Sequence, residues 1–191
     1  MPRRGIPGIR LAVTASSDKT PDAPRKYAIE SMFGDSPPLD LTEHIPHCRR
    51  LGLEVVSLGP STATVKIPYS EELVGDPSRG VVFGGVITTL LDQTCGMATL
   101  CSLEEFETIA TIDLRIDYLR AAEAGRDLIG RGECYKLTRH VAFLRGIAYE
   151  SSPEEPFATC IGTFMVGSRP SEHFLTKVIA ERDSDEPTER E

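Results

Sequence analysis

Six stretches of this chain read as strands, one of them in unbroken apolar-polar alternation, and apolar positions recur at helical spacing in one more. In "TIDLRIDYL", Ile112, Leu114, Ile116 and Tyr118 alternate with Asp113, Arg115 and Asp117. That period of two is the mark of a strand with one face in a core and the other in water. Upstream, "LEVVSL" and "STATVKIPY" are strand-like and meet at Gly59-Pro60, a tight-turn pair. Downstream come "DLIGRGECYKL", "HVAFLRGIAYE" and "FATCIGTFMV", separated by turn-rich pieces such as "SSPEEP". The last two runs are apolar on both faces, which predicts interior places in a sheet. Between the second and third strands lies the one long helical signal, Val86 to Ser102, reached through an irregular segment, "SEELVGDPSRG".

Two strands, one long helix and four strands predict an α+β domain in which a curled antiparallel sheet of about six strands wraps one central helix. Neither internal repeats nor a βαβ series is visible. Residues 1–38 are rich in Pro, Ser, Gly and charge, as in "SSDKTPDAP", and predict a flexible extension with one short amphipathic piece, "RKYAIESMF". The domain is expected over 39–168, opening with a helix in "DLTEHIPHCRRLG" that starts at an Asp/Thr pair and stops at Gly52. A polar, acidic tail occupies 169–191.

The helix carries one anomaly. Val86, Ile87, Leu90, Leu91, Met97, Ala98 and Leu100 cover most of its surface, so it should be buried nearly all round. On the remaining strip, Thr88, Thr89, Asp92, Cys95, Gly96 and Thr99 stack at spacings of three and four. A buried, unpaired carboxylate costs several kcal/mol, so Asp92 must have a partner or face a wet cleft. A structural aspartate bonded to Thr88 or to nearby backbone is the simpler alternative. Gly84-Gly85, just before the helix, offers free N–H groups with no Cβ in the way, suited to a carbonyl oxygen that becomes negative. Such donors contribute on the order of 3 kcal/mol to a rate. Asp92 follows two turns later, near enough for one substrate to touch both, and the combination suits acyl transfer.

Composition narrows the alternatives. The net charge of -8 argues against nonspecific nucleic-acid binding. Half of it sits in the last eleven residues, "ERDSDEPTERE", so the body is only mildly acidic. No run approaches the ~20 apolar residues that span a bilayer. Five scattered cysteines, Cys48, Cys95, Cys101, Cys134 and Cys160, with no C-x-x-C pair, predict reduced thiols in a cytoplasmic protein. His44 and His47 stand at i, i+3, but Ile45-Pro46 interrupts a helix there and no third ligand is near, so no metal site is expected. Arg3-Arg4 is followed by an apolar stretch too short for an export signal.

The stretch "FGGVITTLLD", with its lead-in "LVGDPSRGVV" and the downstream "TIDLRIDYLRAAEAGRDL" and "YKLTRHVAFLRGIAYE", resembles the hotdog-fold acyl-CoA thioesterases, in the branch of the phenylacetate-pathway and 4-hydroxybenzoyl-CoA enzymes. The likeness runs from about Ile45 to Val166. It implies a hotdog fold, hydrolysis of a CoA thioester to carboxylic acid and CoA with no cofactor, and a homodimer or homotetramer with active sites across the dimer. The resemblance assigns Gly84 the N–H that polarises the thioester carbonyl, and Asp92 the catalytic carboxylate, as nucleophile or general base. Thr111 falls where some members hold the attacking water, although strict alternation puts it on the polar face with Asp113 unless a bulge re-aims it. Gly85, Asp76 and Phe83 are carried over as substrate-binding positions, and Arg139 and His140 as contacts for the pantetheine and nucleotide end of CoA.

Two positions depart from the family pattern. Phe83 stands where the family has histidine, and Asp76 where many members have asparagine. Phenylalanine donates no hydrogen bond, but it can wall a cleft against an acyl chain or ring. Asp76, if close to Asp92, would raise a carboxylate pKa by like-charge repulsion. The alternative function is a hotdog protein that binds acyl-CoA with little or no turnover; a dehydratase of 3-hydroxyacyl thioesters ranks last, for want of a histidine near the helix start.

Overall fold

The computed structural model describes residues 45–167. The N-terminal extension, the Asp/Thr helix start, His44 and the acidic tail lie outside the described residues, as do the expected domain limits. A short helix, α1 (Pro46–Arg50), opens the described chain and ends at Gly52, whose φ of +65° supplies the left-handed turn that releases it toward the first strand. Strands β1 (Glu54–Gly59) and β2 (Thr62–Ile67) form the expected hairpin. The long helix is α2 (Gly84–Leu100), and β5 (Ile109–Tyr118), β6 (Leu128–Leu137), β7 (Val141–Tyr149) and β8 (Ala158–Val166) follow.

These strands make one antiparallel six-stranded sheet in the order β1-β2-β6-β7-β8-β5, as the patterning predicts, with β7 and β8 in interior positions and β1 and β5 at the edges. The segment expected to be irregular contains a 3-10 turn (Glu71–Leu73) and a separate two-stranded ribbon of β3 (Val74–Asp76) and β4 (Val81–Val82). That ribbon delivers the chain to the helix: Phe83 N–H donates to Leu73 O at 2.8 Å, and Val82 N–H to Ala122 O at 3.1 Å.

Helix α2 lies across the sheet, packed mainly on β6 and also on β2 and β7. Leu90, Leu91, Val65, Ile67, Leu128, Leu144 and Phe157 are fully buried between the two layers. Each large aliphatic side chain buried there stabilises the fold by about 1.5–3 kcal/mol. Two glycines of β6 bring the layers unusually close. A Cβ at Gly130 would stand 2.4 Å from Thr94 Oγ1, and one at Gly132 would stand 3.1 Å from the Thr94 carbonyl oxygen. Thr94 thus sits in a trough of missing side chains, its hydroxyl donating to Leu90 O at 2.6 Å.

Strand β5 contains the irregularity that matters for the site. Its pairing with β8 steps from Thr111↔Phe164 to Asp113↔Thr163, leaving Ile112 as a bulge. Strict alternation places Ile112 toward the core. The bulge instead turns it outward, 53% exposed, and brings Thr111 onto the helix side with Leu114 and Ile116.

Candidate active site

Helix α2 begins two residues earlier than the apolar periodicity predicts, because the Gly-Gly pair is itself its first turn. Phe83 is the N-cap, in extended conformation, and its side chain makes no capping hydrogen bond. Its ring is 62% exposed and lies against two glycines: a Cβ on Gly85 would stand 2.5 Å from the ring and one on Gly75 would stand 2.8 Å from Phe83 Cα. Glycine at both places is therefore what makes room for Phe83 at the helix start. Val86 N–H donates to Phe83 O at 3.0 Å, whereas the N–H groups of Gly84 and Gly85 have no acceptor among the described residues. Both carbonyls of the pair are held by hydroxyls. Gly84 O accepts from Thr88 Oγ1 and from Tyr118 Oη, each at 3.2 Å, and Gly85 O accepts from Thr89 Oγ1 at 3.0 Å. His47 Nε2, from α1, lies 3.3 Å from that Thr89 hydroxyl.

Two turns along, Asp92 is half-buried. Thr111 Oγ1 donates to Asp92 Oδ1 at 2.9 Å, and Gln93 Nε2 reaches Oδ2 at 3.5 Å. The bulge therefore brings together two of the residues to which the resemblance gives catalytic roles. Asp92 is not tied to Thr88, as the simpler structural reading had it; Thr88 bonds back to its own helix. The negative charge of Asp92 is felt below it. Burial, helped by that charge, pushes the Cys48 thiol up to about 11. Cys95 is likewise raised, by its contact with Cys160 at 3.7 Å and by burial, so both thiols stay protonated and uncharged at neutral pH.

Gly84 and Asp92 are eight residues apart on one helix, roughly 12 Å along its axis at ~1.5 Å per residue. The expectation that they meet one substrate from a single chain holds only for a long molecule. A thioester carbonyl, whose carbon and oxygen are about 1.2 Å apart, does not reach both. Rows on the helix edge beside β5 match this spacing: Tyr118 stands at the level of Gly84 and Thr88, Thr111 at the level of Asp92, and Ile109 against Gly96. The strip of small residues expected as a single face is divided. Thr88 is exposed, Asp92 and Gly96 are half-buried, and Cys95 and Thr99 are fully enclosed under the sheet.

The other expected residues take different places. Asp76 closes the turn between β3 and β4, accepting from Ser78 N–H at 3.1 Å and from Ser78 Oγ at 2.6 Å, so its carboxylate is engaged locally. Arg139 and His140 are exposed in the β6–β7 turn. That turn lies at the Thr111 end of the sheet, since His140 O accepts from Val166 N–H and Val166 pairs with Ile109. Tyr118 and Thr88 had no assigned role from sequence. The signal for Tyr118 was its place at the end of the inward-facing row of β5, where a phenol needs a partner. An apolar groove of about 330 Å³ opens beside it, lined by Val82, Gly84, Ile87, Leu119 and Ala122 among others. Among the described residues no group of three or more His, Cys, Asp or Glu could hold a metal ion. No helix there is long and apolar enough to cross a membrane.

Residues 79–156, which include the whole of α2 and the Thr111 bulge, match the family model of the Thioesterase superfamily. The chain is 30% identical over 144 residues to the medium/long-chain acyl-CoA thioesterase YigI of Escherichia coli strain K12, covering 65% of this chain and 87% of that protein. Among solved structures, a Pseudomonas aeruginosa protein from a structural-genomics programme shares 44% identity with a TM-score of 0.61, over 68% of this chain and 98% of its own. A mutant of the phenylacetic acid degradation protein PaaI from Thermus thermophilus shares 25% identity with a TM-score of 0.55, over 63% and 97% of the two chains.

Proposed function

The chain belongs to the thioesterase superfamily, and from that premise we propose that it hydrolyses acyl-CoA thioesters, water and the thioester giving a carboxylic acid and CoA. One observation carries the reading: a single carboxylate, Asp92, stands on a largely buried helix with a hydroxyl donor, Thr111, aimed at it from a strand bulge. The Escherichia coli relative, a medium/long-chain acyl-CoA thioesterase, supports CoA thioesters of medium or long acyl chains as the substrate class.

In this mechanism the Gly84 N–H, unpartnered among the described residues at the start of α2, takes the thioester oxygen as negative charge gathers on it. Asp92 either attacks the carbonyl carbon, giving a mixed anhydride that water then hydrolyses, or removes a proton from the attacking water, and Thr111 fixes the carboxylate or that water. CoA leaves as the thiolate. Because Gly84 and Asp92 of one chain are roughly 12 Å apart, each site takes its Gly84 from one chain and its carboxylate from Asp92 of the partner subunit. The protein then works as a homodimer, with pairing into a homotetramer consistent with the exposed Tyr135, Ile161 and Met165 on the outer sheet face. Gly85, Phe83 and Asp76 border the acyl end of the substrate, and Arg139 and His140 contact the pantetheine and nucleotide end. The reaction needs no cofactor, and its setting is the cytoplasm.

Thiol release from a panel of acyl-CoAs, wild type against Asp92→Asn, tests the reading. The variant should lose at least about 100-fold in kcat, as carboxylates that act on the reacting atoms do. Equal rates for the two proteins would sink it. The second reading, a binder of acyl-CoA, is favoured by one feature only, the exposed Phe83 ring lying over Gly85. It predicts tight CoA-thioester binding with no thiol release from either protein.

A further inference from the structure

A pair of glycines is a poor way to start a helix that must hold its N–H groups still. Each glycine gives up about 1 kcal/mol relative to alanine in a helix, because it has more backbone freedom to lose. The usual remedy, a side-chain cap at the preceding residue, is missing, since Phe83 makes no capping hydrogen bond. The order must come from elsewhere.

The structure assigns that task to Tyr118: we propose that it is a positioning residue for the thioester-binding turn, acting with Thr88 by clamping the Gly84 carbonyl. This rests on the proposed thioesterase reading for its effect on rate, but not for its geometry. Tyr118 Oη donates to Gly84 O at 3.2 Å, Thr88 Oγ1 donates to the same oxygen at 3.2 Å, and the two hydroxyls lie 3.3 Å apart. Whichever hydroxyl donates to the other, at least one proton reaches the carbonyl. The phenol tip also lies against the glycine, as a Cβ on Gly84 would stand 3.6 Å from Tyr118 Oη and 3.9 Å from Tyr118 Cζ.

Holding the carbonyl oxygen of Gly84 fixes the plane of the Gly84–Gly85 peptide, and with it the Gly85 N–H and the torsions that aim the Gly84 N–H. An oxyanion donor is effective only if it is aimed before charge develops, so this constraint belongs to catalysis and not to ground-state binding. Two further observations set Tyr118 apart from a packing residue. It is 52% exposed, so its ring is not there to fill the core, and it reaches the glycine from 34 residues away, at the far end of the strand that carries Thr111. One edge strand thus serves both halves of the machinery, with Thr111 on the carboxylate and Tyr118 on the oxyanion turn.

Tyr118→Phe in the full chain keeps the ring and removes the hydroxyl. With decanoyl-CoA as substrate, kcat should fall about 3- to 10-fold, the value of one neutral hydrogen bond, with KM within about twofold and an unchanged melting temperature. Thr88→Val should cost a similar factor, and the double variant more than either alone, because the two hydroxyls back each other up. A kcat for Tyr118→Phe equal to wild type overturns the proposal. A variant whose KM and melting temperature both change as much as kcat also overturns it, since that marks a merely structural tyrosine. The Gly84 carbonyl-carbon NMR shift, which responds to the hydrogen bonds that oxygen accepts, decides the matter without turnover. It should move upfield in Tyr118→Phe, and an unmoved shift overturns the proposal. Wild-type protein that releases no thiol but shows the shift difference would refute the thioesterase reading and leave the clamp standing.

Discussion

Replacing Thr111 by valine, which has the same shape, removes the one hydroxyl that the described residues aim at Asp92 and little else. The hydrogen bond is 2.9 Å long and its acceptor is a carboxylate, the kind whose loss costs about 1.5–3 kcal/mol. Thr111 is exposed and Asp92 only half-buried, so water competes for the carboxylate and the lower end applies. At about 1.4 kcal/mol per factor of ten, Thr111→Val should lower kcat about 10-fold. The fold should not notice, because an exposed strand position tolerates valine within about 0.5 kcal/mol. Thr111→Ser, which restores a hydroxyl on the same Cβ, should recover to within about threefold of wild type. In an Asp92→Asn background the valine change should cost almost nothing further, since the group it serves has gone. Steady-state thiol release by all these proteins, with melting curves as the control, measures each term. If Thr111→Val is within twofold of wild type, or if serine and valine are equally impaired, Thr111 does not act through its hydroxyl. If valine costs the same factor with and without Asp92, it does not act through Asp92.

Gly130→Ala should destabilise the domain by about 2–4 kcal/mol, from overpacking against Thr94 and Leu90 together with loss of the Thr94–Leu90 hydrogen bond. Urea unfolding measures this, and adding Thr94→Ala should recover part of the loss; a change under about 0.5 kcal/mol would show that the helix has room to retreat. Phe83→His places a hydrogen-bond donor at an exposed N-cap and should raise kcat about threefold with an unchanged melting temperature. Thiol release by Phe83→His alone, with none from wild type, would establish the binding reading for the natural sequence.

The main elements were legible because each buries a face of fixed period. The row Val86, Ile87, Leu90, Leu91 predicted α2, and the strand runs predicted the sheet and its interior members. The helix start was displaced by two residues because the periodicity begins at Val86, whereas Gly84 and Gly85, which have no side chain to show a face, already lie in the first turn. The β3–β4 ribbon is too short, and too full of Gly and Pro, to show alternation. At the site, Asp92 stood out as the only charge on the helix. The Thr111 bulge could not be read, because "TIDLRIDYL" alternates without a break through Ile112. What breaks the register is pairing with β8, a contact between segments about 50 residues apart, together with the hydrogen bond that Asp92 accepts. The Tyr118 clamp is equally non-local: nothing near residue 118 mentions the glycines it holds.

The bulge in β5 has a counterpart at the other side of the sheet, where the β1 pairing steps from Val55 to Ser57 and leaves Val56 turned out, 55% exposed. Both open edges of the sheet therefore carry an interruption. A long, regular edge strand is a template on which further chains can add without limit, and an extra residue that twists the strand spoils that template. The residue that aims Thr111 at Asp92 thus also spoils its edge as a template. Deleting Ile112 to straighten the strand should favour edge-to-edge association as well as misalign the carboxylate, a change that light scattering against wild type would register.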